Sequence, residues 1–173
     1  MTASRISLTV SVFIGLFLIQ ETIINNIHFL LGGFSLYLAA TMCWIAMEPR
    51  NGAVITGFIA GLILDFSPTI DSPFGQWTFI LTIAGYLVSI NREGMGDFDT
   101  RPVTLAFIVA GSVTLTLVLF LLVSAILGES NTTLVAALRE LTGNFLWTLA
   151  LSPLYVPLLN KVHDVTQSAR DRR

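Results

Sequence analysis

Apolar residues run along this chain in six stretches, each broken by a short polar, glycine or proline segment, and each stretch reads as a membrane-crossing helix. The pattern predicts spans over residues 6–24, 27–47, 52–66, 74–90, 103–127 and 134–159. Glu48-Pro49-Arg50-Asn51 is a tight turn with a helix breaker between the second and third spans. The third span is short: at 1.5 Å per residue it covers about 22 Å, against a hydrocarbon core of about 30 Å. It reads either as a partial crossing or as one extended by the loop Asp65-Phe-Ser-Pro-Thr-Ile-Asp-Ser-Pro73, which has no basic residue. The fifth stretch is the longest uninterrupted one. The sixth carries Pro153 and Pro157, where the missing amide hydrogens predict a bend, static or hinge-like, before a short basic tail.

Charge sorts the spans by side. Threaded from a cytoplasmic N-terminus, Arg5, Arg50, Arg92, Arg101, Lys161, Arg170, Arg172 and Arg173 all fall in cytoplasmic segments, and Arg139 alone lies near the outer end of the last span. That asymmetry is the one expected of cytoplasmic loops, which collect Lys and Arg. Both termini are therefore expected in the cytoplasm. The 91–102 segment, rich in glycine and charge, is the main inner loop, and Gly128-Glu-Ser-Asn-Thr-Thr133 is an outer turn.

Composition agrees with the pattern. The chain has 173 residues, 54% of them hydrophobic and 12% charged, and a mean hydropathy of +0.78. Soluble domains carry about 25% charged residues. Six spans consume nearly the whole length, so no separate soluble domain is expected. The single cysteine, Cys43, sits in an apolar run and reads as a packing residue. Arg5 precedes an apolar run, but no small-residue cleavage site follows before Gln20-Glu21, so the first run is kept as a span rather than a leader.

Small residues recur at every fourth position in two spans. Ala3, Ser7, Ser11 and Gly15 form one row; Ala53, Gly57 and Gly61 form another that ends at Asp65. Fourth-position spacing puts each row on one helix face, where absent side chains admit another helix. That helix can belong to this chain or to another protein, and the first row is the better candidate for the latter. Asp65 either caps the loop that follows or binds a partner, since a bare carboxylate is costly in hydrocarbon. Asp71 reads as a solvated loop residue. Near the outer end of the sixth span, Arg139, Glu140, Asn144 and Trp147 form a polar cluster. It reads as an interfacial helix start with an aromatic anchor, or as a contact to another subunit.

No catalytic set can be assembled. In this topology His28 and His163 lie on opposite sides of the membrane, no Cys/His ligand spacing occurs, and no phosphate-binding glycine loop is present. The match of Asn131-Thr-Thr to the glycosylation sequon is three residues long. The span centres are almost free of charge, unlike many transporters. No metal, cofactor or enzymatic activity is expected.

Gly52-Ala-Val-Ile-Thr-Gly-Phe-Ile-Ala-Gly-Leu-Ile-Leu-Asp65, then Pro73-Phe-Gly75 and Ala84-Gly-Tyr86, resemble the rod shape-determining MreD family of bacteria. The family pattern is a glycine-rich short helix ending in an aspartate, a Pro-Leu-Gly-like turn, and a helix with a Gly-Tyr pair. The turn here reads Pro-Phe-Gly instead. The resemblance implies an all-α integral membrane fold, a six-helix transmembrane bundle similar to the substrate-capture subunits of energy-coupling-factor transporters. It implies a non-enzymatic role in the machinery that lays down lateral peptidoglycan. The implied partners are MreC, MreB where present, and the peptidoglycan glycosyltransferase and transpeptidase, with membrane lipid around the bundle and no nucleic acid. Gly57 and Gly61 would then permit close helix approach, and Asp65, Pro73 and Gly75 would shape the outer loop. Ser7, Ser11, Gly15, Arg139 and Glu140 would be docking residues. The alternative is a subunit that captures a vitamin or metal for an energy-coupled transporter, with its cavity near the 65–75 loop and the sixth helix.

Overall fold

The computed structural model describes residues 3–27, 29, 33–67, 72–95, 102–128 and 133–168. These form six α-helices: α1 (Ala3–Thr22), α2 (Leu36–Met47), α3 (Arg50–Asp65), α4 (Gln76–Met95), α5 (Pro102–Ile126) and α6 (Leu134–Ser168), with one 3-10 turn at Ile24–Asn26. Among the described residues there is no strand. Two segments, Ile6–Asn26 and Val103–Ile126, are long and apolar enough to cross a membrane by length and composition.

The shortest helix is the centre of the bundle. Every residue from Tyr37 to Ala46 in α2 is buried, and α2 touches each of the other helices. A helix apolar on all sides suits either lipid or a protein core, and α2 occupies the core. Phe13 of α1 meets Tyr37 and Trp44 edge-on, with ring centroids at 6.0 Å and 5.8 Å, the arrangement that ring quadrupoles favour.

The expected stretch 27–47 is not one helix. The chain is extended at Ile27, Gly33 has a left-handed φ of 117°, and α2 starts after Ser35, whose hydroxyl accepts from the Leu38 amide at 3.2 Å. Hydropathy alone cannot see this break, because glycine and phenylalanine there are as apolar as a helix interior. Other ends move as well: α3 takes in Arg50 and Asn51 from the expected turn, and two ends move farthest. α4 continues to Met95, into the segment expected to be loop, and α6 continues to Ser168 instead of stopping at residue 159. α6 keeps its helical path through Pro153 and Pro157. The Ser152 hydroxyl donates to the Leu149 carbonyl at 2.7 Å, the carbonyl that Pro153 has no N–H to satisfy.

Candidate functional site

Three places in the bundle concentrate polar or small residues. The first is the α3–α4 hairpin. A methyl group on Gly57 would collide with the Leu81 carbonyl, one on Gly61 would stand 2.6 Å from the Trp77 carbonyl oxygen, and one on Gly85 2.7 Å from that of Ala53. The glycine row of α3 thus lies directly on the backbone of α4, and glycine from each side makes room for the other. At its end Asp65 reaches across: one carboxylate oxygen accepts from the Trp77 amide at 3.0 Å, and the other from the Thr78 amide at 2.9 Å and the Thr78 hydroxyl. These amides open α4 and have no partner within it. Gly75 holds the position before the helix, with φ 95° and its carbonyl accepting from Phe79, but it has no side chain to cap with. Asp65 supplies the missing cap from the neighbouring helix. Pro73 closes the turn by accepting from the Gln76 amide at 3.1 Å.

The second place was not foreseen in the sequence. Glu48, at the end of α2, is fully buried, and its carboxylate lies 3.2 Å from Nε2 of His163, itself buried on α6. The His163 ring stands edge-on to Trp44 at 5.1 Å. A methyl on Gly52 would lie 2.5 Å from the Glu48 carboxylate, so glycine leaves space for it. Glu48 reads in sequence as the start of a turn and His163 as part of a tail. Their meeting depends on the helical continuation of α6 past residue 159. Nearby, Arg50 donates to the Tyr86 hydroxyl at 3.0 Å and sits 4.9 Å from its ring centroid. This gives the Gly-Tyr pair two tasks: Gly85 admits α3, and Tyr86 holds the start of α3.

The third place comprises rows left uncovered. α1 turns Thr9, Phe13 and Gln20 inward, while Ser7 and Ser11 are exposed and a methyl on Gly15 would meet nothing within 4 Å. The Ser11 hydroxyl satisfies itself on the Ser7 carbonyl at 2.9 Å. Its neighbours Leu8, Ile14, Leu18 and Ile19 are exposed too. On α6, Arg139 and Glu140 are exposed, but Asn144 is not: it accepts from the Ser35 amide at 3.0 Å and donates to the Glu140 carbonyl. Trp147 packs edge-on against Phe29 at 5.1 Å. The expected polar cluster therefore divides, with Asn144 and Trp147 turned to the bundle and the two charges turned away.

Among the described residues no group of three or more His, Cys, Asp or Glu side chains is placed to hold a metal. Cys43 is buried. A groove of about 580 Å³ opens between α5 and α6, lined by Val103, Phe107, Pro153 and Asn160 among others. It lies on the sixth helix, as a capture subunit's cavity was expected to, but at the Pro102 end of α5, away from the 65–75 loop. His28, Asp71, Arg101 and Asn131 lie outside the described residues, as does the side chain of Arg92.

The family model for the rod shape-determining protein MreD matches residues 4–162. No curated protein matches the chain. No solved structure matches it either.

Proposed function

The chain belongs to the rod shape-determining protein MreD family, and from that premise we propose that it is a membrane adaptor of the cell-elongation machinery. It spans the cytoplasmic membrane six times with both termini inside, and it works by helix–helix docking rather than by catalysis. Its partners are MreC, MreB where present, and the glycosyltransferase and transpeptidase of lateral wall synthesis.

One observation carries the docking mechanism: α1 offers a small-residue row in which Ser7 and Ser11 are exposed and, among the described residues, none stands within 4 Å of a methyl group placed on Gly15. In lipid, close backbone approach and van der Waals packing drive helix association, and small residues permit both. The row of Gly57 and Gly61 has the same spacing, but α4 already fills it. The docking role thus falls to α1, against a single-span partner of the kind MreC represents.

The test is affinity purification of the tagged full chain in mild detergent, wild type against Gly15→Leu. Leucine at 15 has open space around it, so the bundle keeps its thermal midpoint. Recovery of the MreC-like companion falls by roughly tenfold, a loss of about 1.4 kcal/mol of association. Undiminished recovery sinks the α1 assignment. Recovery of paired ATPases with a bound small molecule, in place of wall-synthesis proteins, sinks the adaptor reading itself.

A further inference from the structure

The first two turns of α6 stand clear of the bundle. Leu134 and Val135 are each 76% exposed, and Leu138, Arg139 and Glu140 are exposed with them. The adjoining end of α5 is equally bare, with Ile126 83% exposed and Leu122 beside it. Apolar exposure is ordinary on a helix that faces lipid. Two opposite charges set among those residues are not, because ionised groups in or at the edge of hydrocarbon need partners.

Among the described residues they have none: neither Arg139 nor Glu140 has a side-chain hydrogen bond or ion pair, and the Glu140 carbonyl is used by Asn144 while its carboxylate is not. They cannot satisfy each other, because adjacent helical residues point about 100° apart around the axis. Each charge is therefore free, and each is the complement of its neighbour.

We propose that this end of α6 is where two copies of the chain associate, with Arg139 of each copy paired to Glu140 of the other. Copies in one membrane share an orientation, so a two-fold axis between them must run along the membrane normal. Such an axis sets the same stretch of α6 side by side in both copies at one depth. Arg139 and Glu140 differ in height by about 1.5 Å, well within the reach of an arginine. A two-fold contact uses one patch twice, so a patch carrying both signs satisfies itself, forming two ion pairs flanked by Leu138 and Val135. A zwitterionic lipid headgroup carries both signs as well, and charge exchange between two copies separates it from a second chain. This pairing is independent of the α1 docking row, which lies on another helix.

Charge exchange tests it. Two differently tagged full-length copies are co-expressed, extracted in mild detergent and reconstituted into nanodiscs, and co-purification is measured. Wild type recovers itself. Arg139→Glu alone places like charges against one another, as does Glu140→Arg alone, and each loses self-recovery by at least tenfold. Co-expressing the two single variants with each other restores recovery, since all facing pairs are again opposite, and the double exchange Arg139→Glu with Glu140→Arg restores it in one chain. Restoration in the mixture also demonstrates that both variants are folded. Wild type recovered as single copies, with headgroups or water holding both charges, overturns the proposal. So do single variants that self-associate undiminished, or a mixture that fails to recover.

Discussion

The α3–α4 hairpin and α1 carry the same small-residue spacing and put it to opposite uses. In the hairpin, Gly57 and Gly61 face α4 so closely that no methyl group fits, and Asp65 locks the top of the contact onto the first amides of α4. On α1 the row Ser7, Ser11, Gly15 faces away from the bundle. What separates them is connectivity. A turn with Pro73 and Gly75 opens an α4 that lies antiparallel on α3, whereas the helix that follows α1 is the buried α2, whose Tyr37 and Trp44 meet Phe13 of α1. Fourth-position spacing announces that a helix can approach. It does not say whose.

Leucine substitutions separate the two rows, and the largest expected effect is on the filled one. Gly61→Leu drives a four-carbon side chain into the α4 backbone and should cost about 4 kcal/mol or more, an exceptional loss for one residue. Folded protein should be nearly absent after extraction in mild detergent. Gly61→Leu therefore reports on folding rather than on assembly, and a folded, monodisperse Gly61→Leu would refute the close approach.

His163→Ala follows, since removing one member of a buried pair leaves the Glu48 carboxylate enclosed with a partner gone, at about 3 kcal/mol. A thermal midpoint within error of wild type would show that the pair contributes little. Asp65→Ala removes the cap that α4 cannot supply for itself and should cost about 1–2 kcal/mol. Asp65→Asn, which keeps an oxygen acceptor, should lose less; equal losses would point to charge rather than hydrogen bonding. The smallest effect on stability belongs to Gly15→Leu, with no change in midpoint beside its loss of partner recovery. Destabilisation by Gly15→Leu would mean that the α1 row is covered within the chain after all.

Much of the bundle was legible in the sequence. The number of helices follows from the apolar runs, and the ends of α5 lie within a residue of those expected, because its run is long and unbroken. Asp65 was legible only as a choice between capping the loop that follows and binding a partner; that it caps the start of α4 depends on the antiparallel return of that helix, which spacing does not give. The start of α2 was not legible. Gly32-Gly33-Phe34-Ser35 offers no polar break, and the left-handed φ at Gly33 and the Ser35 cap are conformational facts that hydropathy does not weigh. The Glu48–His163 contact was hidden for another reason: its partners are far apart in the chain, and it exists only if α6 outruns its apolar stretch by several residues. Polar residues after 159 read as tail because periodicity fades there, while the packing of Val162 and His163 on the core keeps the helix going.

The long separation along the chain between His163 and the helix it covers has a consequence for biosynthesis. α2 is made early, yet Trp44 and Glu48 receive part of their enclosure from a residue translated more than a hundred positions later. Until the ribosome has passed His163, the middle of the molecule holds an acidic group and an indole without their final cover. A helix made well after α2 thus completes the enclosure of α2, and a chain halted between the two would present that core to the quality-control proteases of the membrane.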